Sequence, residues 1–203
     1  MVARSEVAHA RPNGRVRKPS GSGEDRPMPF TPQQLSDAED IKIVKHRYFR
    51  AIDTADAALL DSVFTDGVRV DYRGGAYRVN LQGKATMIDF LLTAFNSDCV
   101  AMHHGHMPEI KFISDSAAEG LWYLEDIFIA RDQMKRTIGS AIYKDIYVKV
   151  NGEWRIAATE YDRVYEMIET LPEEQTITFS HLATHGRKPE ERTDISGFIT
   201  WSN

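Results

Sequence analysis

The sequence predicts an α+β fold, in which a strongly curved antiparallel sheet wraps around three N-terminal helices and encloses a cone. Two observations predict it. Apolar residues recur at helical spacing up to about residue 94, whereas nearly all of residues 99–164 reads as long β-rich runs. Helices followed by a block of antiparallel strands pack as layers around one core. The mouth of such a cone, lined by polar groups, is the expected place for a binding site.

Length and composition indicate one ordinary domain with tails. The 203 residues are 42% hydrophobic and 27% charged, which is enough apolar material for a single core. No apolar run approaches the roughly 20 residues of a membrane-spanning helix, so no membrane partner is expected. The single cysteine, Cys99, excludes an intrachain disulfide, and a reducing cytoplasm is the expected compartment.

The N-terminal segment, residues 1–29, differs from the rest of the chain in charge. It carries six basic and three acidic side chains, whereas the remainder carries 19 basic and 27 acidic ones. It also holds four of the eight prolines and no aromatic residue, so it is predicted to be a disordered extension. A chain start at Met28 is an alternative interpretation. The acidic remainder repels phosphate backbones, which argues against nucleic acid as a partner.

The first helix is predicted from a start near residues 31–32 to an end at residues 53–54. Ser36 and Glu39 have the spacing of a capping box within its first turns. One face is apolar at helical spacing and is formed by Ile41, Val44, Tyr48 and Ile52.

Two shorter helices are expected next. Asp56 is the predicted N-cap of the second helix, which ends before a turn at residues 66–67. Gly83 leads into the third. Their apolar faces are formed by Leu59, Leu60, Val63 and Phe64 in the second helix and by Met87, Phe90, Leu91 and Ala94 in the third.

Six strands are predicted, and turn residues bound most of them. A Gly-Gly pair at residues 74–75 connects the first two strands, and an Asn-Gly pair at residues 151–152, a strong hairpin signal, connects the last two. Pro108 interrupts the third. The predicted strands cover residues 68–72, 77–81, 101–114, 118–131, 135–149 and 153–163.

The densest group of chemically active side chains is the run Met-His-His-Gly-His at residues 102–106. Since side chains alternate along a strand, His104 and His106 share one face and His103 points to the other. An imidazole changes charge near neutral pH, so His103 is a candidate general base, with a structural histidine as the alternative. His104 and His106 could hold a metal ion, but no carboxylate stands at a known ligand spacing, so no metal is predicted.

Asp53, Tyr72 and the strand over residues 118–131 supply further candidates. Asp53 ends the first helix, where the macrodipole disfavours a carboxylate, and a solvated acid is the alternative. Tyr72 is either a functional group or an ordinary half-buried strand aromatic. Whichever face of the strand points inward, the strand buries an acid, which is Asp126 on one face and Glu125 on the other. The first face also carries Trp122, Leu124 and Phe128, and the second also carries Leu121, Tyr123, Ile127 and Ile129.

The strand over residues 135–149 also has two distinct faces. Tyr143 and Asp145 are pocket candidates on the face that includes Ala141 and Tyr147. An ion pair of Asp145 with Arg155 across the hairpin is an equally good structural interpretation. The opposite face is apolar, with Ile142, Ile146 and Val148.

Four segments carry a resemblance to a known family. They are Ile-Asp at residues 52–53, Asp-Tyr-Arg at residues 71–73, His103 at the start of the long sheet, and residues 147–156 at the last hairpin. In this order they resemble the SnoaL-like branch of the NTF2-like superfamily over about residues 33–164. Within that branch, the Asp-Tyr-Arg segment is similar to scytalone dehydratases. The glycine two places after His103 is similar to hexachlorocyclohexane dehydrochlorinases.

The resemblance implies an NTF2-like cone and a role for several residues. Both enzyme families eliminate a leaving group with an Asp and His pair, and the matching positions are Asp53 and His103. Tyr72 matches a tyrosine at the substrate, which completes the expected catalytic set. The sequence departs from scytalone dehydratases at Ile52, Phe128 and Tyr143, which argues against scytalone itself as the substrate. The expected substrate contacts are Tyr48, Trp122, Asp126, Phe128, Tyr143 and Asp145.

The function implied is that of a lyase that needs no cofactor and acts on a small aromatic or polycyclic substrate. The reaction is either a dehydratase-type elimination or a retro-aldol-type cleavage that releases a small aldehyde. An isomerase or cyclase of the same fold is one alternative, and a non-catalytic ligand-binding or dimerisation module is another. A homodimer or homotrimer is expected.

Residues 30–165 are the expected domain, and residues 166–203 are a tail that could close the cone mouth. Pro172 and two glutamates that follow it favour a loop. His181 and His185 are four residues apart, but no helix is predicted there.

Overall fold

The computed structural model describes residues 30–202 and confirms the α+β fold. The predicted disordered extension, residues 1–29, lies outside the described residues. No helix within residues 30–202 combines the length and apolar composition that a membrane crossing requires. The helices are α1 (Pro32–Thr54), α2 (Ala57–Val63), α3 (Lys84–Ala94) and α4 (His181–His185). The strands are β1 (Phe64–Arg73), β2 (Tyr77–Gln82), β3 (Cys99–Ser114), β4 (Ala117–Ala130), β5 (Lys135–Val150), β6 (Glu153–Thr170) and β7 (Ile199–Trp201).

The strands form one curved, open sheet in the order β3-β4-β5-β6-β1-β2-β7. Helix α1 packs against the inner face of this sheet, and the apolar core lies between them. All neighbouring strands are antiparallel except β1 and β6, which are parallel. Antiparallel pairing throughout was the expectation, and the parallel pair corrects it. Strand β1 enters the sheet beside β6, about 90 residues later in the chain, and no local pattern indicates such a pairing.

Helix α1 begins earlier than its predicted cap. The side chain of Thr31 accepts a hydrogen bond from the backbone N–H of Gln34, and the side chain of Gln34 accepts one from the backbone N–H of Thr31. Pro32 fits the first turn, because its missing N–H would have no helical partner there. The predicted capping box of Ser36 and Glu39 is therefore wrong, since the equivalent box at Thr31 starts the helix first.

The predictions that follow α1 have different outcomes. Asp56 accepts a backbone hydrogen bond at 2.9 Å and caps α2, as predicted. The turn predicted at residues 66–67 is wrong, since β1 runs through both residues. The pairing of β1 with β6 is irregular between Phe64 and Arg69. Gly67 therefore lies in a bulged stretch of strand rather than in a turn.

The last hairpin matches its prediction, but β6 is longer than expected. Asn151 and Gly152 have φ angles of 53° and 86°, as a tight two-residue turn requires. Strand β6 continues to Thr170, and its pairing with β5 shifts register twice. Each shift changes which residues face inward. As a result, both Trp154 and Arg163 face inward, although they differ in parity along the strand.

A fully buried ion pair joins α1 to β5. Lys45 Nζ lies 2.7 Å from Asp145 Oδ2 and 3.4 Å from the centre of the Tyr143 ring. The hydroxyl of Tyr147 donates to the same carboxylate at 2.7 Å. Burial lowers the pKa of Lys45 to about 8, although the carboxylate opposes this shift. The ion pair predicted between Asp145 and Arg155 is wrong, because the inward-facing carboxylate meets Lys45 instead.

The C-terminal strap, which we define as residues 180–201, runs along α3 to the edge of the sheet. Helix α4 forms where no helix was predicted, because the side chain of Ser180 caps it. Arg187 contacts Asp89 of α3 at 2.6 Å, and β7 then pairs with β2. The lid function of residues 166–203 and the domain bounds 30–165 stay predictions.

Removing one partner of the buried ion pair should destabilise the fold strongly. We expect Lys45→Met to lower the free energy of unfolding by about 3–5 kcal/mol, because it leaves the Asp145 carboxylate buried without its cation. The double variant Lys45→Met/Asp145→Asn should recover most of the loss, since the amide still accepts from Tyr147. Urea unfolding measures both. If the loss of unfolding free energy in the double variant equals the sum of the losses in the two single variants, this coupling is contradicted.

Candidate active site

Asp53 and His103 lie in direct contact, although 50 residues separate them in the chain. Asp53 occupies the last turn of α1, and Ala55 ends the helix in the left-handed conformation. His103 lies near the start of β3. Its Nδ1 is 2.6 Å from Asp53 Oδ1, and its backbone N–H donates to Asp53 Oδ2 at 3.0 Å. Each carboxylate oxygen therefore holds a different part of the same residue.

The His103 ring is held between aromatic side chains. Phe49 stacks on it with ring centres 5.9 Å apart and an angle of 5° between the planes, and Phe95 meets it edge-on at 5.1 Å. The His103 side chain is only 7% exposed, whereas that of Asp53 is 22% exposed. Nδ1 is engaged by the carboxylate, and Nε2 has no hydrogen-bond partner within residues 30–202. The ring thus presents one free nitrogen.

Gly105 explains how Phe49 can reach the histidine. A Cβ atom at this position would lie 2.6 Å from Cε2 of Phe49, a distance that real contacts do not show. The glycine faces the same side of β3 as His103, two residues earlier. The absence of a side chain at residue 105 therefore makes room for the ring that packs on His103.

A row of inward-facing residues crosses four strands at the level of His103. It consists of His103, Asp126, Gly139 and Glu166, each paired in register with the next. Arg163 fills the place of the missing side chain, since a Cβ on Gly139 would lie 2.9 Å from its Nη1. The row therefore sets a histidine beside a guanidinium and two carboxylates.

Arg163 makes a two-point contact with Asp126. Its Nη1 and Nη2 donate to the two carboxylate oxygens at 2.5 and 2.8 Å, and its Nε lies 3.1 Å from Glu166 Oε2. Burial opposes the charged form, but the hydrogen bonds that Arg163 donates to Asp126 and the negative charge of Asp126 raise the pKa of Arg163 above its ordinary value. The guanidinium also lies 5.6 Å from the ring of Tyr161, whose hydroxyl is hydrogen-bonded to that of Tyr77. Arg163 stays charged, and its position is fixed from several sides.

The residues predicted to contact a substrate fall into two groups. Phe128 packs on Phe95 with ring centres 5.8 Å apart, and Asp126 lies in the row of His103, so both are close to the Asp53–His103 pair. The other four are sealed in the core, at 3% exposure or less: Tyr48, Trp122, Tyr143 and Asp145. Their role as substrate contacts stays a prediction.

Tyr72 lies deeper than the histidine and belongs to a cluster of tyrosines. Its hydroxyl is 2.6 Å from that of Tyr48, and its ring stacks on Tyr161 with centres 4.5 Å apart. Burial raises the pKa of Tyr72 and of Tyr143. Both hydroxyls therefore stay protonated at neutral pH and can donate hydrogen bonds. The catalytic role predicted for Tyr72 is not tested by this geometry.

Sequence reasoning missed Phe49 and Phe95 as neighbours of His103 and Arg163 as the partner of Asp126. Arg163 escaped because a register shift between Trp154 and Arg163 breaks the simple alternation of inward-facing residues along β6. Phe49 follows Tyr48 in α1, and its helical spacing to Ile52 and Asp53 was an available signal.

On the outer face of β3 and β4, strand pairing brings a carboxylate next to the two histidines that were considered as metal ligands. His104 and His106 share this face, as predicted, and Glu125 of β4 lies directly opposite His104. No carboxylate stands at a known ligand spacing along the chain, but strand pairing supplies one that chain spacing does not reveal. A separate groove of about 730 Å³ on the outer face, lined by charged residues such as Lys144 and Glu160, lies away from His103.

Comparison with known proteins identifies the family. The sequence model of the family described as the SnoaL-like domain matches residues 33–160 of this chain. The chain belongs to the SnoaL-like family. The SnoaL-like fold, part of the NTF2-like superfamily, thus accounts for α1–α3 and for most of the sheet.

Several solved structures resemble this SnoaL-like protein. Hexachlorocyclohexane dehydrochlorinase (LinA) type 2 has a TM-score of 0.63 and 14% identity, over 72% of this chain and 98% of the other. A scytalone dehydratase candidate from Novosphingobium aromaticivorans has a TM-score of 0.62 and 18% identity, over 73% and 100%. LinA type 3 from Novosphingobium barchaimii has a TM-score of 0.60 and 14% identity, over 68% and 92%. At these identities the likeness establishes the fold alone.

Enlarging Gly105 should displace the ring that packs on His103. We expect Gly105→Ala to lower the free energy of unfolding by about 1–3 kcal/mol, because the new methyl group overlaps Phe49. The ring-proton NMR signals of His103 should shift as the stacking changes. Gly67→Ala is the matched control, since Gly67 lies in a strand with nothing within 4 Å of the added atom. Equal effects of the two variants would contradict the close approach of Phe49.

Proposed function

We propose that this SnoaL-like protein is a lyase that needs no cofactor and removes a leaving group from a small aromatic substrate. The hydrogen bonds between Asp53 and His103 carry the proposal. They hold Nδ1 protonated toward the carboxylate, which leaves Nε2 as the acceptor. This is the arrangement that a general base requires.

The reaction follows from that tautomer. Nε2 of His103 takes a proton from a carbon next to a carbonyl group of the substrate. The electron pair of the broken C–H bond forms a carbon–carbon double bond, and the hydroxyl on the adjacent carbon leaves with the proton that the imidazolium returns, as water. Asp53 stabilises the imidazolium while it exists. Atoms and charge balance without a further reactant.

Arg163 is proposed to bind the carbonyl oxygen of the substrate. A guanidinium has five N–H donors. Asp126 accepts one hydrogen bond from Nη1 and one from Nη2, whereas Nε lies 3.1 Å from Glu166 and has no hydrogen-bond partner among the described residues. The second N–H groups of Nη1 and Nη2 remain for an oxygen on which negative charge develops. The phenyl rings of Phe49, Phe95 and Phe128 near His103 favour an aromatic substrate over a sugar or a phosphate.

The names of the similar structures support an elimination. A dehydrochlorinase and a dehydratase both expel a leaving group, and both share this fold. A retro-aldol-type cleavage and an isomerisation start from the same base, so they differ from our proposal in the product and not in the role of His103. The expected homodimer or homotrimer and the cytoplasmic location stay predictions.

Proton abstraction can be tested before the natural substrate is known. We expect the protein to speed the exchange of the protons next to the carbonyl group of 1-tetralone in D₂O, followed by NMR. It should also convert 3-hydroxy-1-tetralone to 1-naphthol, followed by ultraviolet absorbance. His103→Gln should abolish both activities. Asp53→Asn should lower kcat by about 10²- to 10⁴-fold with little change in KM, because the imidazole loses its orienting carboxylate.

His46→Gln is the control for this experiment, because His46 is an exposed histidine of α1 that has no part in the proposed site. It should retain full rates. Rates of His103→Gln equal to those of the wild type would overturn the role of His103. Tight binding of these ketones by the wild-type protein without exchange or conversion would favour the binding-module alternative.

A further inference from the structure

Three side chains on the outer face of the sheet converge on one point. His104 and His106 are two residues apart on β3, and Glu125 of β4 is in register with His104. Their ligand atoms all lie within 4.8 Å of one another, and His106 Nε2 is 3.3 Å from Glu125 Oε2. Two hydrogen-bonded strands thus present two imidazoles and one carboxylate on the same side.

From this arrangement we infer that His104, His106 and Glu125 form a binding site for a divalent transition-metal ion of the zinc class. Two imidazoles and a carboxylate are donors that Zn²⁺ accepts, at distances of about 2.0–2.2 Å. Around a tetrahedral ion, such donors lie about 3.3 Å from one another. All three side chains are exposed, so small rotations are sufficient to bring their ligand atoms together.

The charges around the site favour a cation. Among residues 30–202, no lysine or arginine forms a salt bridge with Glu125, whose only ionic contact is with His106. The neighbouring outward-facing pairs of β3 and β4 are Met102–Ile127 and His106–Tyr123, and neither contains a lysine or an arginine. These pairs of the described sheet therefore set no lysine or arginine against a metal ion, and the carboxylate would offset part of its charge.

The geometry of the strands also favours a defined site. Ligands that stand on paired strands keep their spacing better than ligands on loops. Three protein ligands leave a fourth position of the ion open to water. The site lies on the opposite side of β3 from His103, so the ion takes no part in the proposed elimination. It would clamp β3 to β4 at the pair next to His103 and Asp126.

Zinc titration of the full-length protein without an affinity tag tests the site. After treatment with EDTA and buffer exchange, isothermal titration calorimetry should show one Zn²⁺ ion bound per chain. His104→Ala, His106→Ala and Glu125→Gln should each weaken binding by about tenfold or more. All three residues are exposed, so the variants should fold, and circular dichroism checks this.

A second histidine pair provides the matched control. His181 and His185 stack with ring centres 4.1 Å apart on α4, and the double variant His181→Ala/His185→Ala should bind Zn²⁺ like the wild type. Lack of Zn²⁺ binding by the wild-type protein would overturn the inference. Unchanged binding by His104→Ala, or loss of binding by the double variant, would also overturn it. The readout is independent of the proposed lyase activity, since His103→Gln should still bind one ion.

Discussion

The contact between Asp53 and His103 is the constraint on which the inner site depends. It joins the end of α1 to the start of the long sheet. A carboxylate in the last turn of a helix meets an unfavourable macrodipole, at a cost of about 0.3–1 kcal/mol. Hydrogen bonds from the backbone N–H and the ring of His103 offset that cost. The same bonds fix the height of the helix along β3, which brings Phe49 over Gly105 and onto the imidazole.

The register of the sheet extends this constraint to Arg163. Once His103 is placed, its in-register partners bring Asp126, Gly139 and Glu166 to the same level. Gly139 leaves a gap in that row, and Arg163 of β6 reaches across it to Asp126. The ion pair next to the histidine therefore results from a missing side chain on one strand and a register shift on the next.

Local patterns in the sequence predicted α1–α3, most strands and the two faces of β4 and β5. The Asp53–His103 contact followed from the family resemblance, because nothing in the spacing of the two residues indicates it. Local patterns could not predict contacts between residues that are far apart in the chain. The partner of Asp145 is on α1, and Glu125 meets His104 only through strand register. Arg163 was missed because alternation predicts a face only while the register stays constant.

The histidine run of β3 shows how one short segment can serve two sites. A strand turns successive side chains to opposite faces, so His103 points to the aromatic interior while its neighbours face solvent beside Glu125. The surroundings then decide the chemistry. Inside, a carboxylate and two phenyl rings hold one imidazole in a fixed orientation. Outside, two exposed rings and the Glu125 carboxylate, which contacts only His106 among the described ionic groups, can turn toward a cation. Gly105 lies between the two outward-facing histidines, and the space that its side chain would fill on the inner face is taken by Phe49.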